Sequence, residues 1–257
     1  MYAYRKRNQK VAISELQVQS ALREIIDPNT GKDYVTSREV GEIRINSNNV
    51  SLEIVLSYPA KSLFENIRSQ VIEKLRMIPD IGEIEVTISS KIISRATKPG
   101  VQHIPEVKNI IAVASGKGGV GKSATAVNLA LALAYEGASV GILDADIYGP
   151  SQPQMLGVSG RPESKDGKHM EPLEAHGIQI ISIGLLIDIE TPMVWRGPMV
   201  TQALQQLLND TRWRDLDYLI VDMPPGTGDI QLTLAQKVPV TGAVIVTTPQ
   251  DLSLIHI

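Results

Sequence analysis

Two kinds of apolar patterning divide the chain near residue 92. Over residues 12–92 the hydrophobic positions switch between helical and strand spacing. Ser14-Glu15-Leu16-Gln17 is a capping box that opens a helix whose apolar stripe runs through Val18, Ala21, Leu22, Ile25 and Ile26 and stops at Asp27-Pro28. Two period-two runs then face each other across Ser47-Asn48-Asn49. The first presents Val40, Ile43 and Ile45, the second Val50, Leu52, Ile54 and Leu56. A second capping box, Ser62-Leu63-Phe64-Glu65, opens a helix with Phe64, Ile67, Val71 and Leu75 inward, and residues 83–89 alternate again as a strand. The predicted order is αββαβ, a small α+β domain.

Residues 93–107 include Pro99, Gly100 and Pro105 among polar positions and read as an interdomain linker. Over residues 108–257 the strands become unbroken apolar runs, as strands buried on both faces do. Strands are expected over 109–114, 139–143, 178–183, 218–221 and 242–247. Helices are expected over 123–135, closed by Gly137 at C′, and near 199–208 and 229–236. Strands alternating with helices predict an α/β doubly wound parallel sheet. The last residues, Asp251-Leu252-Ser253-Leu254-Ile255-His256-Ile257, follow directly on a central-type strand, so the expectation is a domain incomplete at its C-terminus.

Composition narrows the classes of function. The 257 residues are 43% hydrophobic and 21% charged, ordinary for globular domains with real cores. A net charge of −3 gives no global attraction to nucleic acid or to anionic membranes, so neither is expected as a partner. Arg5, Lys6, Arg7 and Lys10 read as a solvated terminus. No run reaches the roughly 18 apolar residues of a membrane span, and no signal-peptide core follows those basic residues, so a cytoplasmic protein is expected. There is no cysteine, which excludes disulfides and thiolate ligands within these residues. His103, His169, His176 and His256 lack metal-ligand spacing and read as loop, linker or tail residues, and Trp195 and Trp213 as packing.

The chemistry sits in three runs. Gly116-Lys117-Gly118-Gly119-Val120-Gly121-Lys122-Ser123 fills the phosphate-loop template between a strand and an Ala- and Leu-rich helix. The glycines let backbone N–H groups close around a polyphosphate, Lys122 reaches the β- and γ-phosphates, and the Ser123 hydroxyl ligates Mg²⁺. Asp144-Ala145-Asp146 ends the next strand, where Asp146 is placed to order the attacking water. Asp217-Tyr218-Leu219-Ile220-Val221-Asp222 has the Walker-B pattern, with Asp222 in the Mg²⁺ shell, and Pro224-Pro225-Gly226-Thr227-Gly228-Asp229 follows as a candidate γ-phosphate switch loop. Lys117 is expected to reach across a two-fold interface to a partner's phosphates, worth ~10³–10⁵ in rate by analogy with an arginine finger.

The phosphate loop, joined to Asp144-Ala145-Asp146-Ile147-Tyr148-Gly149-Pro150-Ser151 and Pro224-Pro225-Gly226-Thr227-Gly228-Asp229, resembles the Mrp-type iron–sulfur cluster carrier ATPases. These belong to the deviant Walker A group of P-loop NTPases, which also contains MinD and ParA. The resemblance implies ATP and Mg²⁺ as cofactors, a nucleotide-switched homodimer, and apo iron–sulfur proteins as recipients. It also implies an adenine-contacting segment beginning at Thr248-Pro249-Gln250. Members carry a C-x-x-C pair whose thiolates hold a [4Fe–4S] cluster across the dimer. With no cysteine here, and Pro59-Ala60-Lys61 where some relatives have one, that cluster is expected only for the intact protein. A positioning ATPase acting on a membrane or DNA is the alternative, distinguished by a basic amphipathic helix or DNA-binding face in place of C-x-x-C. A degenerate nucleotide-binding module without turnover is disfavoured by intact Lys117, Lys122, Asp146 and Asp222.

Overall fold

The computed structural model describes residues 12–95, 103–186, 197–228, 231 and 238–249. It divides into two compact units, Met1–Ile92 and Ile93–Ile257.

In the first unit the Ser14 capping box forms as predicted: the Gln17 amide donates to Ser14 Oγ and the Ser14 amide to Gln17 Oε1. The helix it opens, α1 (Glu15–Arg23), is shorter than the apolar stripe foretold. Ile26 lies beyond it, more than half exposed and bridged to Asp33. The chain turns there because Asp27 is buried and accepts from the Asn29 amide, Thr30 Oγ1 and Tyr58 Oη, all at 2.9 Å. Strands β1 (Val40–Asn46) and β2 (Asn49–Leu56) pair antiparallel across the predicted turn, where Ser47 and Asn48 have positive φ. Helix α2 (Phe64–Leu75) forms, beginning later than the Ser62 capping box foretold: residues 61–63 wind as a 3₁₀ turn, and Leu63 takes the N-cap place without a side-chain bond. Strand β3 (Ile84–Ser90) returns parallel to β2, completing the order β1-β2-β3. Val18, Leu22, Leu52, Ile54, Leu56, Val71 and Leu75 close a core of their own.

The second unit is a six-stranded sheet. Its strands are β4 (Val107–Ala114), β5 (Val140–Asp144), β6 (Leu173–Ala175), β7 (Ile178–Ser182), β8 (Leu216–Asp222) and β9 (Gly242–Ile245), in the order β6-β7-β5-β8-β4-β9. All neighbours are parallel except the short edge strand β6, which the residue pattern did not reveal. Helices α3 (Lys122–Tyr135) and α4 (Gln152–Leu156) serve one face. There Ala126, Val127, Ala130 and Leu156 meet Val113, Val140, Ile142, Ile180 and Ile220. Helix α5 (Gly197–Asn209) serves the other, where Leu204, Leu207 and Leu208 pack with Ile110, Leu143, Ile181, Leu219 and Val221. Adjacent strand residues thus point into different cores, the reason these strands read as continuous apolar runs.

Helix α3 ends in a Schellman arrangement: Gly137 has φ +95° and donates to Ala134 O, and the Ala138 amide donates to Leu133 O. Asp217, first met as the polar residue before a strand, ties three strands together. It pairs with Lys108 Nζ at 2.8 Å and accepts from the Ser139 amide at 2.9 Å. Trp213 is buried as expected, while His169 and His176 are loop residues. The basic N-terminal residues, most of the linker, Trp195, His256, Asp229, Gln250 and, apart from Gln231, the helix expected over 229–236 lie outside the described residues. No helix among the described residues is long and apolar enough to cross a membrane.

Candidate functional site

The C-terminal ends of β4, β5 and β8 lie side by side, with Asp144 opposite Asp222 in the parallel register. This is the edge at which open α/β sheets bind ligands. From β4 the chain enters the glycine loop at residues 115–121. Ser115 Oγ donates to the Lys117 carbonyl oxygen at 2.9 Å and fixes the first bend. Gly119 and Gly121 have φ of +78° and +90°, where a side chain would be strained. Gly116 and Gly118 have ordinary φ, and a Cβ on either would meet nothing within 4 Å. Packing therefore does not explain those two glycines, whereas close approach of a ligand to the backbone does. Gly121 is the N-cap of α3 and provides no side-chain cap, so the helix opens with its amides and partial positive charge available to an anion.

Lys122 and Ser123 begin α3, and Lys122 is only 6% exposed. Its ammonium forms a short ion pair with Asp222 Oδ1, donates to Ser123 Oγ at 3.2 Å and lies 3.7 Å from Asp146 Oδ2. The fold thus gathers Lys122, Ser123, Asp146 and Asp222, four of the residues singled out in the sequence. A hydroxyl and two carboxylates around one cation form an oxygen donor set that suits Mg²⁺, and the ammonium already lies among them. Val120 is half-buried in the loop. Lys117 is half-exposed, and its ammonium makes no hydrogen bond or ion pair with the described residues.

The two acids of residues 144–146 differ in surroundings. Asp146 Oδ1 accepts from the Gly149 amide at 3.2 Å, and its other oxygen faces Lys122. Asp144 is fully buried. Its carboxylate accepts from the amides of Asp146, Ser151 and Gln152 and from Ser182 Oγ, at 3.0–3.2 Å, and so shapes the turn into α4. Burial pushes the Asp144 carboxyl up to about 6; the Gln152 amide bond opposes the rise and the Asp222 charge adds to it. Downstream of β8, the Met223 and Gly226 amides donate to Val113 O and Ser115 O, which ties the start of the predicted switch loop to the strand beneath the phosphate loop.

Sequence reasoning missed Gln152. It lies at the start of α4, fully buried, with Nε2 donating to Asp222 Oδ2 at 2.8 Å and to the Ser123 carbonyl oxygen at 3.0 Å. No motif marks it. A polar residue opening a short helix ordinarily faces solvent, and only the meeting of three distant segments buries this one.

Comparison with known proteins gives the same picture. Residues 106–257 match the NUBPL iron-transfer P-loop NTPase (ParA) family, and residues 15–88 match an iron-sulfur cluster assembly protein family. The chain is 52% identical over 229 residues to an iron-sulfur cluster carrier protein of Escherichia coli (strain K12), covering 89% of this chain and 62% of that protein. It is 48% identical to one of Synechocystis sp., covering 93% and 69%. The chain therefore spans about six-tenths of the length of the Escherichia coli relative. A solved nucleotide-binding protein from Archaeoglobus fulgidus, in complex with ADP, is 40% identical, with a TM-score of 0.51 over 58% of each chain. With the family match covering more than half of its residues and a relative at 48% identity covered over two thirds of its length, this chain belongs to the NUBPL iron-transfer P-loop NTPase family.

Proposed function

We propose that this chain is the ATP-binding and ATP-hydrolysing part of an iron–sulfur cluster carrier, a cytoplasmic homodimer that passes clusters to apo iron–sulfur proteins under nucleotide control. The observation that carries this is the meeting of Lys122, Ser123, Asp146 and Asp222 beside an open glycine loop. The names of the curated relatives favour cluster carriage over the positioning alternative.

The glycine-loop amides and the α3 N-terminus hold the phosphates. Lys122 gives up its pairing with Asp222 to reach the β- and γ-phosphates, which leaves Asp222 free to bind a metal ion. The Ser123 hydroxyl and the Asp222 carboxylate would hold Mg²⁺, which would neutralise phosphate charge when bound. Asp146 orients the attacking water, and Lys117 of one subunit stabilises charge on the nucleotide of the other. Because the 257 residues hold no cysteine, the thiolates that hold the cargo cluster come from outside them.

Lys117→Ala is expected to bind ATP within a few-fold of the unchanged protein while turnover falls ~10³-fold or more, roughly 4 kcal/mol of transition-state stabilisation. Steady-state hydrolysis beside equilibrium binding of an ATP analogue decides it: unaltered turnover removes Lys117 from the reaction. Cluster transfer to an apo-protein, measured by visible circular dichroism on a chain that includes the thiolates, tests the carrier role. ATPase activity without transfer would leave a nucleotide switch for some other cargo.

A further inference from the structure

Gln152 is completely buried, and its amide can face only one way. Both partners of Nε2, the Asp222 carboxylate and the Ser123 carbonyl oxygen, are acceptors only. Turning the amide over would set Oε1 against two oxygens and strand the NH₂ group. In the orientation that remains, Oε1 is a buried acceptor with no hydrogen-bond partner among the described residues. Such atoms are rare in folded proteins and point to a partner supplied by solvent or ligand. Oε1 shares its carbon atom with Nε2, so that partner lies within a few ångströms of the Asp222 carboxylate and the first turn of α3.

We propose that Gln152 is a positioning residue for the metal half of this site. Its Nε2 holds the Asp222 carboxylate in the orientation that binds Mg²⁺, and its Oε1 accepts a hydrogen bond from a water of the Mg²⁺ shell. Mg²⁺ dehydrates reluctantly and keeps several of its waters in protein sites, so an acceptor beside the shell has a donor to engage. Hydrogen bonds to a ligating carboxylate are, in general, part of what fixes metal affinity. The main chain of Gln152 adds to the effect: its amide donates to the buried Asp144 at 3.1 Å, which holds the residue between β5, β8 and α3. The inference rests on the assignment of Ser123 and Asp222 as Mg²⁺ ligands.

The test compares binding of a fluorescent ADP analogue with and without Mg²⁺, and Mn²⁺ in its place by electron paramagnetic resonance, in unchanged protein and Gln152→Met. The methionine variant, which lacks both polar atoms, is expected to lose about 10–100-fold in metal affinity of the ADP complex, the range typical of outer-shell partners. Its metal-free ADP affinity should stay within about threefold. Gln152→Leu replaces the methionine variant if that one does not melt cooperatively. Equal losses with and without metal would make Gln152 a packing residue and overturn the proposal, as would an apolar variant that binds metal normally. If ADP binding by the unchanged protein ignores Mg²⁺ altogether, the Ser123 and Asp222 assignment itself falls.

Discussion

Asp144 and Asp146 stand two residues apart, yet the fold gives them opposite tasks. Asp144, sealed beneath the site, holds its proton more tightly in the folded chain than in the unfolded one, because its folded value of about 6 lies above the ordinary 3.8. The stabilisation this supplies is complete below about pH 4 and disappears as pH rises through 6, an effect of about 3 kcal/mol. Urea unfolding of Asp144→Asn and the unchanged protein, without nucleotide or metal, is therefore expected to give a difference that varies with pH between 4 and 6.5. A constant difference would mean that Asp144 does not titrate there. Lys122, Ser123 and Asp222 were legible in the sequence because their chemistry demands a fixed local spacing or a strand-end position. Gln152 was not, since its partners lie 29 and 70 residues away in the chain.

At the scale of elements, the parallel strands of the second unit were recognised from their unbroken apolar runs, and α3 from its glycine loop and its Gly137 stop. Boundaries set by tertiary contact were not visible. Asp27 and its hydroxyl and amide partners turn the chain soon after α1, and the 3₁₀ turn at 61–63 moves the start of α2 beyond the one expected from Ser62. Edge strand β6 has only three residues, too few to show a period. Gly141 in β5 is a second example. Its φ is ordinary, but a Cβ there would lie 2.6 Å from Leu216 Cδ1 and 3.0 Å from a Trp213 ring carbon, and both side chains are buried. Gly141→Ala is expected to cost about 1–3 kcal/mol through overpacking, read as a lower urea midpoint with an altered tryptophan signal. Full retention of stability would mean that Leu216 and Trp213 can yield.

For the molecule as a whole, each unit has its own core. Leu22, Leu56 and Val71 belong to one, and Ile142, Ile180 and Ile220 to another. Two calorimetric transitions are expected, and Mg²⁺ with ADP at 100 times its Kd should raise only that of the second unit, by about 2.7 kcal/mol. A single transition, or equal shifts in both, would contradict independent folding. By itself, the sequence determined the two patterns of secondary structure, the phosphate loop and the acids at strand ends, because periodicity and local spacing are properties of neighbouring residues. Tertiary structure alone decided that Asp144 is buried while Asp146 faces Lys122, that Lys122 bridges Asp222 and Asp146, and that Gln152 is sealed between Ser123 and Asp222. Those are relations between segments far apart in the chain, fixed by which parallel strands lie side by side and by the packing of helices across them.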